Sequence, residues 1–181
     1  MARDGISIRE AVADDAPGVA RVVIDTWRTA YADLMPSELL ASLDLAEREA
    51  ALRRALGPSD DGRATFVAER DGPGEPGGRV IGFASVGPCR DEDASEGEGE
   101  LYALNVLPEH WGTGLGAELL ARASRRLEEL GCAPVSLWVL SENARARRFY
   151  EREGFVLDPA RERVAKTARG FELMHARYSR G

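Results

Sequence analysis

Histidine and cysteine are both scarce in this 181-residue chain, with two of each. Cys89 and Cys132 lie far apart and lack the paired spacing of a zinc site, so they read as free thiols of a cytoplasmic protein in a reducing compartment. His110 and His175 have no clustered partners, and no metal is expected. No apolar run reaches the ~20 residues that span a bilayer, so a membrane is not an expected partner. Residues Met1 to Ile6 lack the apolar region of a secretory signal. Positive charge is in deficit: 24 Lys and Arg face 31 Asp and Glu, for a net charge of −7. Attraction to phosphate supplies most non-specific nucleic-acid affinity, so nucleic acid is not an expected partner either. The acidity fits a cationic or amine substrate, and it fits plain solubility equally. No repeat and no dividing linker is found. With 44% hydrophobic residues, residues 1–181 are read as one domain with one buried core.

What the chain does carry is a strand, a glycine turn and a helix in direct succession. An apolar strand, Leu101 to Leu107, runs into Pro108; Gly112, Gly114 and Gly116 follow at every second position; a helix with one apolar face comes next. Glycines let backbone approach a ligand closely, and the unpaired N–H groups at a helix start attract an anion. A P-loop needs Lys-Ser/Thr after its last glycine, but Ala117 and Glu118 stand there. A dinucleotide loop needs G-x-G-x-x-G and an acid at the next strand end. Here the last spacing is wrong, and Glu128 and Glu129 fall on the helix. A plain tight turn is the structural alternative.

A second segment lies downstream. Val135 to Leu140 is an apolar run of strand length, and a helix follows that ends at Gly154. Asn143, Ala146 and Phe149/Tyr150 recur on one face of it, ahead of Phe155. Phe149 and Phe155 also suit a core, and Asn143 suits a helix cap.

The two segments together resemble the GCN5-related N-acetyltransferases (GNAT). Trp111-Gly112-Thr113-Gly114-Leu115-Gly116 resembles that family's Gln/Arg-x-x-Gly-x-Gly/Ala pyrophosphate loop, with Trp111 in place of the polar first residue. Asn143, Ala146, Phe149-Tyr150 and Gly154-Phe155 resemble its Asn-x-x-Ala-x-x-Phe-Tyr…Gly-Phe signature. The likeness is specific from about Glu100 to Phe155 and pattern-level elsewhere.

The remaining elements agree with such a fold. Ile6 to Ala11 reads as a strand. Asp14 or Asp15 caps a helix with Pro17 in its first turn and an apolar stripe from Val19 to Tyr31. Pro36 starts a short helix, and Asp44 with Glu47 opens another that stops at Gly57-Pro58. Ala64–Glu69 and Val80–Val86 form a hairpin across an exposed turn from Asp71 to Gly78. Arg90–Gly99 reads as a mobile acidic loop, Phe155–Leu157 as a strand, and Gly170–Tyr178 as the last strand. The step from the central strand through the glycine-turn helix to Val135–Leu140 is expected to be a right-handed parallel crossover. The fold class is therefore α/β: a single-domain mixed, mostly antiparallel sheet flanked by helices, which is also what the resemblance implies.

The resemblance further implies an N-acetyltransferase that moves the acetyl group of acetyl-CoA to a primary amine, small-molecule or peptide, by direct attack, without a metal. Its cofactor-binding set is Leu104, Asn105, Val106, Trp111, Gly112, Thr113, Gly114, Leu115, Gly116, Ala117, Asn143, Ala146 and Tyr150. Tyr150 stands where the family places its acid for the thiolate; a packed aromatic is the alternative. Glu100 is the candidate base, since a primary amine of pKa near ~10 is mostly protonated at neutral pH; a solvated strand edge is the alternative. Trp27 and Tyr31, one turn apart, form either an acceptor-pocket wall or a core stripe. A non-catalytic acyl-CoA-binding module is the competing function, and exposed strand edges leave a homodimer open.

Overall fold

The computed structural model describes residues 5–57, 60–71, 78–166 and 170–181. Seven strands are Ile6–Glu10 (β1), Ala64–Arg70 (β2), Arg79–Pro88 (β3), Gly99–Val106 (β4), Val135–Leu140 (β5), Val156–Lys166 (β6) and Glu172–Arg180 (β7). They form one sheet ordered β1-β2-β3-β4-β5-β7-β6, antiparallel throughout except between β4 and β5. The helices are Ala16–Ala30 (α1), Ser37–Ala41 (α2), Leu45–Ala55 (α3), Leu115–Glu129 (α4) and Ala144–Arg152 (α5). This is the mixed α/β sheet expected, and α4 makes its one parallel connection. Of the expected Asp71–Gly78 turn, residues 72–77 lie outside the described residues, as does Pro58.

Phe66, Val67 and Ala68 are each 0% exposed, so both faces of the sheet centre are covered, since successive strand residues point to opposite faces. Helix α4 buries Leu115, Leu119, Ala123 and Leu127, a stripe of helical spacing. It lies so close to β3 that a Cβ on Gly82 would stand 3.1 Å from Leu119 Cδ1. Helix α1 buries Val19, Val22, Val23 and Thr26 and packs its Gly18 against Val80.

Two irregularities of β4 make room for a site. Ser85 pairs with Ala103 but Val86 with Leu101, so Tyr102 is an extra residue, a bulge. On its other edge β4 pairs with β5 only over Gly99–Leu101 against Val135–Leu137. Beyond that point β4 stays on β3 and β5 goes with β7, out to Leu140 beside His175. The two strands splay apart, and a wedge opens between them.

Three expectations are corrected. Asp15 stands before α1 but does not cap it with its side chain; its carboxylate accepts from the Val12 N–H and from Arg9. The Arg90–Gly99 segment is tethered: Asp91 accepts from Trp138 and Arg177, Asp93 from Arg161, and Glu98 from the buried Arg177. Strand β6 runs on to Lys166, well past the expected end at Leu157; its register on β7 shifts between Asp158 and Glu162, around Pro159, which an edge strand tolerates.

Candidate active site

The glycine turn is built as a cradle. Gly112 has φ 73° and Gly114 φ 89°, the left-handed region that glycine enters without steric cost. A Cβ on Gly112 would meet nothing within 4 Å, so the loop faces open space. The first helical bond of α4 runs from the Glu118 N–H to the Gly114 carbonyl. The N–H groups of Leu115, Gly116 and Ala117 precede it, and no side chain caps them. Three donors and the positive end of a 15-residue helix are thus left at the turn, where Gly114, Gly116 and Ala117 line the cleft. Leu115 and Thr113 contribute only backbone: the Leu115 side chain is wholly buried, and the Thr113 hydroxyl donates to the His110 carbonyl at 2.8 Å.

The free edge of β4 forms the next wall. The Leu107 N–H donates to Ile81 at 2.9 Å, so by strand alternation the main-chain groups of Leu104 and Val106 turn away from β3 and into the wedge. The Val106 carbonyl is already engaged, accepting from Trp111 Nε1 at 2.7 Å and from Thr26 Oγ1 at 3.2 Å. Trp111, which lacks the polar group of the resembling motif, therefore clamps the glycine turn to β4. Its ring is also a platform: the Arg145 guanidinium lies 3.2 Å from the ring centroid.

Two cavities meet here. The first, about 330 Å³, runs from the glycine turn along Leu104–Val106 to α5, with Ala117, Ala146 and Tyr150 in its wall. The second, about 270 Å³, lies on the other side of Tyr150, between α1, the bulged part of β4 and the ends of β5 and β7. Thr26, Leu104, Asn105, Arg145, Ala146 and Tyr150 line both. Tyr150 is 9% exposed and packs edge-on against Phe149 and Phe155, at 5.2 and 5.8 Å between centroids. Burial raises its pKa above the ordinary phenol value, and Tyr31 adds to the rise, so it keeps its proton at neutral pH.

The remaining expected residues fall in the second cavity. Trp27 and Tyr31 form part of its wall, edge to face at 5.4 Å. Asn143 lines it while its side-chain oxygen caps α5 through the Ala146 N–H, at 3.1 Å. Glu100 is there too, 2% exposed and not solvated. Its carboxylate accepts three bonds from Arg90, one from the backbone N–H and two from the guanidinium, the shortest 2.7 Å.

His175 was not singled out in the sequence because nothing near it in the chain suggested a role. It lines the second cavity, and Nδ1 lies 3.0 Å from the Leu173 carbonyl. A carbonyl only accepts, so Nδ1 carries the proton and Nε2 keeps a lone pair. Burial lowers the His175 pKa below its usual 6.5 and leaves the ring neutral at pH 7. Among the described residues no group of three or more His, Cys, Asp or Glu could hold a metal, and no helix is long and apolar enough to cross a membrane.

Comparison with known proteins bears on the family and the fold. Residues 24–155 match the Acetyltransferase (GNAT) family. The chain is 36% identical over 139 residues to YuaI, an uncharacterised N-acetyltransferase of Bacillus subtilis strain 168, spanning 76% of this chain and 73% of that protein. It is 34% identical over 154 residues to the mycothiol acetyltransferase of Streptomyces avermitilis, spanning 84% of this chain but only 43% of that longer protein. The structure of yncA from Salmonella typhimurium, a putative acetyltransferase solved with its cofactor acetyl-CoA, shares the fold with a TM-score of 0.65 at 23% identity, over 97% of this chain and 92% of that one. The chain belongs to the GNAT acetyltransferase family.

Proposed function

We propose that the protein transfers the acetyl group of acetyl-CoA to a primary amine, with the two substrates bound together in the two joined cavities. The observation that carries this reading is the position of Tyr150, which lines both cavities where they meet. The residues fit the cofactor: the N–H groups of Leu115, Gly116 and Ala117 suit a pyrophosphate, and the wedge-facing edge of Leu104 and Val106 suits an extended amide-bearing arm. The related yncA structure contains acetyl-CoA. When bound, the cofactor supplies an activated thioester.

The chain's own groups divide the work. The Leu104–Val106 edge holds and orients the arm. Tyr150, kept protonated by burial, offers a donor to the departing sulfur. Neutral His175 accepts the proton that the amine must lose, and Nε2 is the atom that takes it. Glu100 is the less available acceptor, because Arg90 occupies most of its lone pairs; it positions Arg90 in the cavity wall. Trp27, Tyr31 and Asn143 shape the acceptor side. The outer strand β6 leaves Val156 and Val164 exposed, which supports a homodimer, and size-exclusion chromatography with light scattering tests it.

The test is release of CoA thiol from acetyl-CoA across a panel of amines, with Tyr150→Phe alongside. Tyr150→Phe is expected to lower kcat by about 10- to 100-fold with little change in acetyl-CoA affinity. Tight cofactor binding without thiol release for any amine would instead favour an acyl-CoA-binding module.

A further inference from the structure

Arg145 is the cation that the chemistry above leaves without a task. Its guanidinium lies over the Trp111 ring at 3.2 Å, where the two cavities join. Its charged state is disfavoured by burial, and among the described residues no carboxylate offsets that. Of the other arginines that line the cavities, Arg152, in the last turn of α5, lines the first cavity only, and the two of the second cavity are matched. Arg90 is held by Glu100, and Arg163 has Asp91 at 3.7 Å. Arg145 also sits in the first turn of α5, which holds no acid; the helix dipole there disfavours a cation and favours an anion. Stacking on Trp111 fixes the plane of the guanidinium, so its fork is preorganised for bidentate contact with an oxyanion.

We propose that the acceptor is a small amine bearing a carboxylate within a few atoms of its nitrogen, and that Arg145 holds this carboxylate. This rests on the reading of the two cavities as the site of acetyl transfer to an amine. The position suits both substrate groups. Tyr150 and Arg145 line the same junction, so a carboxylate on Arg145 leaves a nearby amine beside the reacting centre. A fixed positive charge also disfavours the ammonium form, and the attacking amine must be neutral. A peptide N-terminus or a polyamine has no carboxylate at that distance and leaves the fork unmatched.

The test uses the full chain, free L-amino acids, the corresponding amino-acid amides and putrescine, with CoA thiol release as the first readout. Calorimetric titration with acetyl-CoA is the second. Wild-type kcat/KM is expected to favour acids over their amides by at least about tenfold, as a site built to pair a charged group does. Arg145→Met should abolish that preference and change acetyl-CoA affinity by less than about twofold; Arg145→Lys should restore part of the preference. Equal or faster turnover of the amides overturns the proposal. So does a tenfold loss of acetyl-CoA affinity in Arg145→Met with the acid preference intact, which would make Arg145 a cofactor contact. Acetyl-CoA binding without turnover of any acid overturns this inference alone. Absence of acetyl-CoA binding in the wild type overturns the underlying function as well.

Discussion

The indole N–H of Trp111 donates to the carbonyl oxygen of Val106 at 2.7 Å. This bond joins the glycine turn to the free edge of β4, and the same indole carries Arg145 on its face. One side chain thus sets the spacing between three parts of the cleft. Trp111→Phe keeps an aromatic platform and removes the donor. The expected cost is about 1 kcal/mol, because the Thr26 hydroxyl still reaches Val106. Thermal unfolding should register a Tm fall of roughly 2–4 °C, and an unchanged Tm would show that the bond does not brace the cleft.

Gly116 separates fold from function. It lies in the first turn of α4, and an added Cβ would stand 3.6 Å from Phe149, an ordinary contact. Gly116→Ala should therefore stabilise the free protein by about 0.5–1 kcal/mol, as Ala does in helices. The resembling motif takes Gly or Ala at this position, and the added methyl meets only Phe149, so acetyl-CoA affinity should change by less than about twofold. Higher Tm with unchanged binding is the expected pair of results; a loss of binding of about tenfold or more would show that the methyl obstructs the turn.

As the proposed base, His175 is expected to set the acid limb of the pH profile. Its folded pKa is depressed by burial, so the neutral, proton-accepting ring is lost as pH falls through a value below 6.5. The native ring binds fewer protons than the unfolded one, so stability also declines as pH falls from 6.5. His175→Gln should lower kcat/KM by about 10²-fold or more and remove that limb. Glu100→Gln should leave the limb in place while loosening Arg90. The reverse pattern would make Glu100 the base.

Much of this site was legible in the sequence, for physical reasons. Gly112 and Gly114 announce a left-handed turn, and the α4 stripe from Leu115 to Leu127 follows helical spacing. Asn143 suits a cap and is one, while also lining the second cavity. Arg145 and His175 were not legible. The roles proposed for them rest on what the fold sets beside them, Trp111 for one and the β5–β7 pairing for the other. The Arg90–Gly99 segment misled for the same reason: its acidity reads as solvation until Arg177, some 80 residues later in the chain, is placed beneath it.

Arg177 is what holds that segment. Its side chain is 8% exposed and pairs with Asp91 at 3.1 Å and with Glu98. Removing one partner of a buried ion pair leaves uncompensated charge, at a cost of about 3–5 kcal/mol. Arg177→Met should lower Tm by roughly 10 °C or more and increase proteolysis within Arg90–Gly99. A Tm near that of the wild type would mean the carboxylates are solvated after all.

The most direct measurement is calorimetric titration of the purified protein with acetyl-CoA, with ATP and NAD as controls. One-to-one micromolar binding of acetyl-CoA, with neither control bound, is the predicted result, since the turn offers three backbone donors but no lysine for a triphosphate. No heat with acetyl-CoA or CoA would contradict it: the glycine turn would then be structural, and the joined cavities would serve some other chemistry.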